Sequence, residues 1–68
     1  MEIFCIRVKE LRLEHNLTQK ELAEKLTTTN SAVCDWEKGR TQPDIQTLRK
    51  IATFFDVSTD YLLGLSDD

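Results

Sequence analysis

Cys5, Cys34 and His15 are the side chains with the strongest claim to covalent or metal chemistry. Their arrangement supports neither. Two distant cysteines and a single histidine make no close ligand pair of the kind that holds zinc. In a reducing compartment the two thiols are expected to stay unpaired. No nucleophile has a base at a spacing that would activate it, and there is no phosphate-cradling loop. No enzyme activity, metal, cofactor or small-molecule substrate is therefore expected. The remaining chemistry is hydrogen bonding and charge. Gln19, Thr29, Asn30, Ser31, Asp35, Lys38, Arg40 and Thr41 gather amides, hydroxyls, cations and one carboxylate into a short stretch. Such groups suit base edges and phosphates, and they suit a solvated polar surface equally well.

The elements that position them decide between these readings. With 68 residues the chain has room for one domain, 1–68, with a modest core. No segment alternates apolar and polar residues over strand length, and helical spacing dominates. Phe4, Val8 and Leu11 form one stripe of a first helix, with Asn16 as its left-handed stop. Thr18 and Glu21 make the capping box of a second helix, lined inside by Leu22, Ala23 and Leu26. The run Thr27, Thr28, Thr29 resists helix because β-branched side chains crowd the preceding turn. Thr29 can cap a third helix that runs to Lys38 and stops at Gly39.

Ala32, Val33 and Trp36 face inward on that third helix. An advance of about 100° per residue leaves Asn30, Ser31, Cys34, Asp35 and Lys38 on the other side. After a turn-rich loop containing Pro43, Asp44 caps a fourth helix with Leu48, Ile51, Ala52 and Phe55 inside. Ser58 caps a short fifth helix ending at Gly64, where Leu62 and Tyr61 close the core. The expected fold is all-α, a compact five-helix bundle. Its second and third helices, close together and joined by a tight turn, have the layout of a DNA-reading helix-turn-helix.

Net charge is −3, which argues at first against a polyanionic partner. Up to Arg49 the basic and acidic residues balance. Beyond it, Lys50 stands against Asp56, Asp60, Asp67 and Asp68. The acidic excess is C-terminal, and a local basic rim around the motif remains open. No apolar run has membrane-spanning length and no basic stretch precedes an apolar one, so a cytoplasmic location is expected.

Arg7-Val8-Lys9-Glu10-Leu11-Arg12, Leu17-Thr18-Gln19, Leu22-Ala23, Val33, Trp36-Glu37-Lys38-Gly39, Pro43-Asp44, Leu48 and Val57-Ser58-Thr59-Asp60-Tyr61-Leu62-Leu63-Gly64 form an ordered set. Over roughly residues 4–65 it resembles the lambda-repressor-like helix-turn-helix family, the repressors of phages and of the xenobiotic-response-element group. The resemblance implies a third helix that enters the major groove. It also implies a two-fold homodimer on a palindromic double-stranded DNA operator.

Residue roles follow from the same resemblance. Gln19 matches a glutamine that contacts phosphate and braces the reading helix, at a helix end that also suits an anion. Asn30 and Ser31 occupy the first turn of the reading helix, where base edges are reached, and Thr29 could reach a phosphate or a thymine methyl. Lys38, Arg40 and Thr41 follow as phosphate contacts. Arg12 and Glu37 match a pair that ties the first helix to the third. Asp35 departs from the usual amide or basic residue; it either accepts from cytosine N4 or pairs with Lys38 at i+3. Thr27 replaces a frequent glycine and implies either strain or a different turn.

Ile3, Ile6, Leu13, Phe54 and Leu65 exceed what one small core needs. In the family the C-terminal helix and chain end often supply the dimer contact, which makes Phe54, Tyr61, Leu63 and Leu65 the expected interface. The acidic pair Asp67 and Asp68 would then lie away from DNA. The leading expectation is a transcriptional regulator that represses by occupying an operator. The rival is a protein-interaction module of the same fold, an antitoxin or antirepressor, which the balanced charge and Asp35 favour.

Overall fold

The computed structural model describes residues 2–67, so the expectation for Asp68 lies outside the described residues. Among them are five helices: α1 (Glu2–Glu14), α2 (Gln19–Leu26), α3 (Asn30–Lys38), α4 (Ile45–Phe55) and α5 (Thr59–Leu62). There is no strand among the described residues.

Side chains in the sequence set where α2 to α5 begin. The Thr18 hydroxyl accepts from the Glu21 N–H at 3.0 Å, and the Glu21 carboxylate accepts from the Thr18 N–H at 2.9 Å. Thr29 accepts from the Ala32 N–H at 3.0 Å, Asp44 from Thr47 at 2.8 Å and Ser58 from Tyr61 at 2.9 Å. Each bond satisfies a donor that the first helical turn leaves without a partner.

The helices also end alike. Asn16, Thr27, Gly39, Asp56 and Gly64 all have φ between 56° and 79°. At each, the next residue's N–H reaches back to a carbonyl five positions earlier: Leu17 to Arg12, Thr28 to Ala23, Arg40 to Asp35, Val57 to Ala52 and Leu65 to Asp60. This is the left-handed wrap that closes a helix on its own last carbonyls. It resolves the turn after α2: Thr27 adopts the left-handed conformation, at φ 58° and ψ 46°. The helical part of α5 is shorter than the sequence suggests, ending at Leu62, and a further turn carries the chain to Gly64.

Phe4, Val8 and Leu11 of α1 meet Leu22, Ala23 and Leu26 of α2, Val33 and Trp36 of α3, Ile51, Ala52 and Phe55 of α4, and Leu62 of α5 in one buried cluster. Leu17, Ala32, Leu48, Val57 and Tyr61 pack half-buried against it. Leu17 and Val57 each follow a left-handed stop, where an apolar side chain folds back onto its helix.

Arg7 fastens the two ends of the molecule. Its guanidinium donates to the Tyr61 carbonyl, donates to the Ser66 carbonyl at 2.8 Å, and lies 4.2 Å from the centroid of the Tyr61 ring. Gly64 then passes so close to α1 that a Cβ there would sit 2.8 Å from Ile3 Cγ2. Glycine is required by space as well as by its positive φ.

Candidate nucleic-acid interface

α2 and α3 are joined by residues 27–29 and pack directly on each other. Val33 and Trp36 anchor α3 in the core. Thr29, Asn30, Ser31 and Lys38 are exposed and Cys34 and Asp35 half-buried, so the polar face of α3 points out of the bundle.

A buried polar cluster fixes that face. Glu37, whose side chain is 4% exposed, accepts from Arg12 Nε at 2.6 Å and from Arg12 Nη2 at 3.0 Å. Arg12 also donates through Nη1 to the Leu17 carbonyl at 2.8 Å, and Gln19 Nε2 donates to Glu37 Oε1 at 3.2 Å. One carboxylate on α3 therefore ties together α1, the α1–α2 turn and the start of α2. The hydrogen bond to Glu37 holds the Arg12 pKa above its ordinary value. Burial opposes this and the charge of Glu37 adds to it. No buried side-chain polar atom among the described residues lacks a partner, as a charged cluster in a core requires.

This cluster sets Gln19 at one border of the outward face. Glu37 is separated from Asn30 by only about 20° around α3, and Gln19 hydrogen-bonds to Glu37. Arg40 sets the opposite border. Its Nη1 lies 3.9 Å from Asp35 Oδ1, so the ion-pair partner of Asp35 is Arg40 and not Lys38, the partner in one of the two alternatives offered by the sequence. The wrap at Gly39 brings residue 40 back beside residue 35, with the Arg40 N–H bonded to the Asp35 carbonyl at 2.9 Å. A spacing of five is not a helical neighbour, so the pair is invisible to a reading based on i+3 and i+4. Asn30, Ser31, Cys34 and Lys38 lie between the two borders, and the exposed Thr41 continues past Arg40.

The four residues expected at a dimer interface are not gathered in one place. Phe54 lies against His15, just beyond the C-terminal end of α1, with ring centroids 6.4 Å apart. Tyr61 is half-buried under Arg7, and Leu63 is also half-buried. Leu65 is 75% exposed, and its neighbour Gly64 touches Ile3 near the other end of α1. Arg7 and His15 are about 12 Å apart along the helix axis.

No helix among the described residues is long and apolar enough to cross a membrane. No group of three or more metal-ligating side chains occurs among them either.

A helix-turn-helix family model matches residues 8–62. An HTH-type transcriptional regulator of Bacillus subtilis, ImmR, is 47% identical over 85% of this chain and 46% of its own length. The uncharacterized HTH-type regulator YobD of the same organism is 39% identical over 97% of this chain and 59% of its own. An HTH-type transcriptional activator of Enterococcus faecalis, BcrR, is 40% identical over 90% of this chain and 30% of its own. The chain thus spans about half the length, or less, of these curated relatives. With α2 and α3 capped, tightly joined and braced by the Arg12–Glu37–Gln19 cluster, and with the match extending from α1 to α5, the chain belongs to the helix-turn-helix family of the lambda-repressor-like kind.

Proposed function

We propose that this chain is a sequence-specific double-stranded DNA-binding domain of a cytoplasmic transcriptional regulator. It acts by occupying a palindromic operator as a homodimer. The observation that carries the reading is the exposed polar face of α3, braced along one border by Glu37. A base-reading surface needs this combination, because hydrogen bonds to base edges discriminate only when the donors and acceptors are fixed in place.

Asn30 and Ser31 read base edges from the first turn of α3. Gln19 places one amide hydrogen on Glu37 and offers the other to a phosphate. Lys38, Arg40, Thr41 and the Thr29 hydroxyl hold the backbone on either side. No bond is made or broken. Occupancy excludes other proteins from the same DNA, so repression is the outcome this domain produces without further contacts. The dimer contact is assigned to Leu65 and the half-buried Leu63, with Ile3 continuing the apolar surface across Gly64. Phe54, at the other end of α1, falls outside it.

The test is selection from a randomised duplex library at several salt concentrations. The expected result is a palindromic motif whose affinity falls steeply as salt rises. In that motif Asn30→Ala should cost about 1–3 kcal/mol and relax one position, while Lys38→Ala weakens all sequences alike. Failure to retain any duplex at low salt would overturn the reading. It would favour a protein partner for the same face, where the carboxylate of Asp35 would be better accommodated.

A further inference from the structure

The side of the bundle between the end of α2 and the length of α4 holds a cleft of about 640 Å³. This is within the size range of small-molecule sites. Its walls combine two properties. Phe54 supplies the exposed apolar surface, Leu26 being only 2% exposed, and Lys25, Arg49 and Lys50 supply cations. No acidic residue lines it. Among the described residues none of the three cations makes a close ion pair, while Glu21 acts on Lys25 and Asp44 on Lys50 at longer range. Glu21 and Glu24 line a separate hollow on α2 with Lys25. Phe54 is 37% exposed and stands edge-on to Phe55, with centroids 5.0 Å apart. His15 and Phe55 flank the ring, and its exposed part is what a guest would meet.

In a protein whose net charge is negative, three cations around an apolar wall that no acidic residue lines make a local surface suited to one ligand class. We propose that this cleft binds a small organic anion, an aromatic or branched apolar body bearing a carboxylate or sulfonate. The body lies against Phe54. The anionic group meets Arg49 and Lys50 from α4 and Lys25 from α2. The cleft also includes Thr27, the left-handed residue from which the chain turns into α3. A ligand there touches the turn that orients the reading helix. That consequence rests on the DNA-binding reading; occupancy of the cleft does not.

The test reads binding alone, with no DNA present, so its failure and a failure of the DNA-binding reading are distinct results. Backbone amide shifts of the ¹⁵N-labelled chain are followed while 2-naphthylacetate is added. Parallel titrations use 2-naphthylethanol, which keeps the ring without the charge, and inorganic phosphate, which keeps the charge without the ring. The expected result is saturable shifts at Thr27, Arg49, Lys50 and Phe54 with 2-naphthylacetate. Neither control should match them at equal concentration. Arg49→Ala with Lys50→Ala should weaken the response at least tenfold, and Lys25→Ala, on the other helix, should also weaken it. Shifts of equal size with phosphate would reduce the site to a charged surface, and equal shifts with the alcohol to an apolar one. Either result, an absence of saturation, or variants that bind as well as the parent would overturn the proposal.

Discussion

Thr27 holds a left-handed conformation with a β-branched side chain, the least tolerant combination among the five helix stops. Asn16 and Asp56 share its backbone, but short polar side chains visit that region at lower cost. The strain is about 1–3 kcal/mol. Replacement by glycine removes it and returns about 0.5–1 kcal/mol of unfolded-chain entropy. Thr27→Gly is therefore expected to stabilise the fold by up to about 2.5 kcal/mol, read as a rise in Tm of several degrees or more; a lower Tm would show that the threonine fits this turn without strain. Asp35 makes a second residue-scale case. Its ion pair with Arg40 is exposed and long, so it contributes little to stability, but it occupies a cation that the proposed function assigns to phosphate. Asp35→Asn frees Arg40 and removes a repelled charge. Non-specific DNA binding should tighten and preference at one base pair relax, with Tm nearly unchanged; a titration showing neither change would reject this role. The competition was not legible in the sequence, because it depends on where the wrap at Gly39 sends the next side chain. The role of Gln19 as a brace was legible only through resemblance, since nothing in its spacing points to Glu37.

At the scale of elements, the placement of α3 rests on few groups. Glu37 is almost fully buried and faces Arg12 through two hydrogen bonds. Glu37→Ala leaves the Arg12 guanidinium buried without its counter-charge and should cost about 3–5 kcal/mol. Arg12→Met together with Glu37→Leu removes both charges and should cost much less than the sum of the single changes; additive losses in denaturant titrations would mean that the two residues act independently. The helix starts carry a pH signature. The hydrogen bond from the Thr18 backbone N–H, and then the Thr18 side chain, hold Glu21 below its usual carboxylate range. Bonds from Thr47 do the same for Asp44. With folded values depressed, the unfolded chain binds more protons in this window, so stability rises with pH there. The contribution is complete above about pH 5 and is lost as pH falls through the folded values. Urea midpoints should drop from pH 6 to pH 3, and Glu21→Gln with Asp44→Asn should flatten that drop; an unaltered slope would remove the caps as its source. These starts were readable because a cap is a local event: Thr18, Thr29, Asp44 and Ser58 act on backbone within three residues of themselves. The stops were less readable where Thr27 and Asp56 do what glycine usually does. There the fold imposes the conformation and the side chain tolerates it.

For the whole molecule, the sequence indicates how much apolar surface is left over but not where it lies. Ile3, Ile6 and Leu13 are 43%, 52% and 55% exposed. They follow one outer stripe of α1, opposite Phe4, Val8 and Leu11. Only the path of the chain past Gly64 joins that stripe to Leu65, and the length of α1 separates Phe54, beside His15, from Leu65. A dimer built at the Leu65 end has a geometric consequence. The Cα body measures 27 × 22 × 21 Å, narrower than the roughly 34 Å between successive major grooves on one face of DNA. Two bodies in direct contact can reach one turn apart and no further. Half-sites should therefore be centred about 10 base pairs apart. Inserting about five base pairs rotates one half-site to the opposite face of the duplex. Inserting about ten restores the face but doubles the span beyond reach of a rigid pair. Both insertions should reduce binding in gel-retardation titrations to that of an isolated half-site, and Leu65→Asp should do the same on the uninterrupted operator. Full affinity retained after the ten-base-pair insertion would mean that the two copies are not held by a direct contact at this surface, because no rigid pair of this size spans two turns.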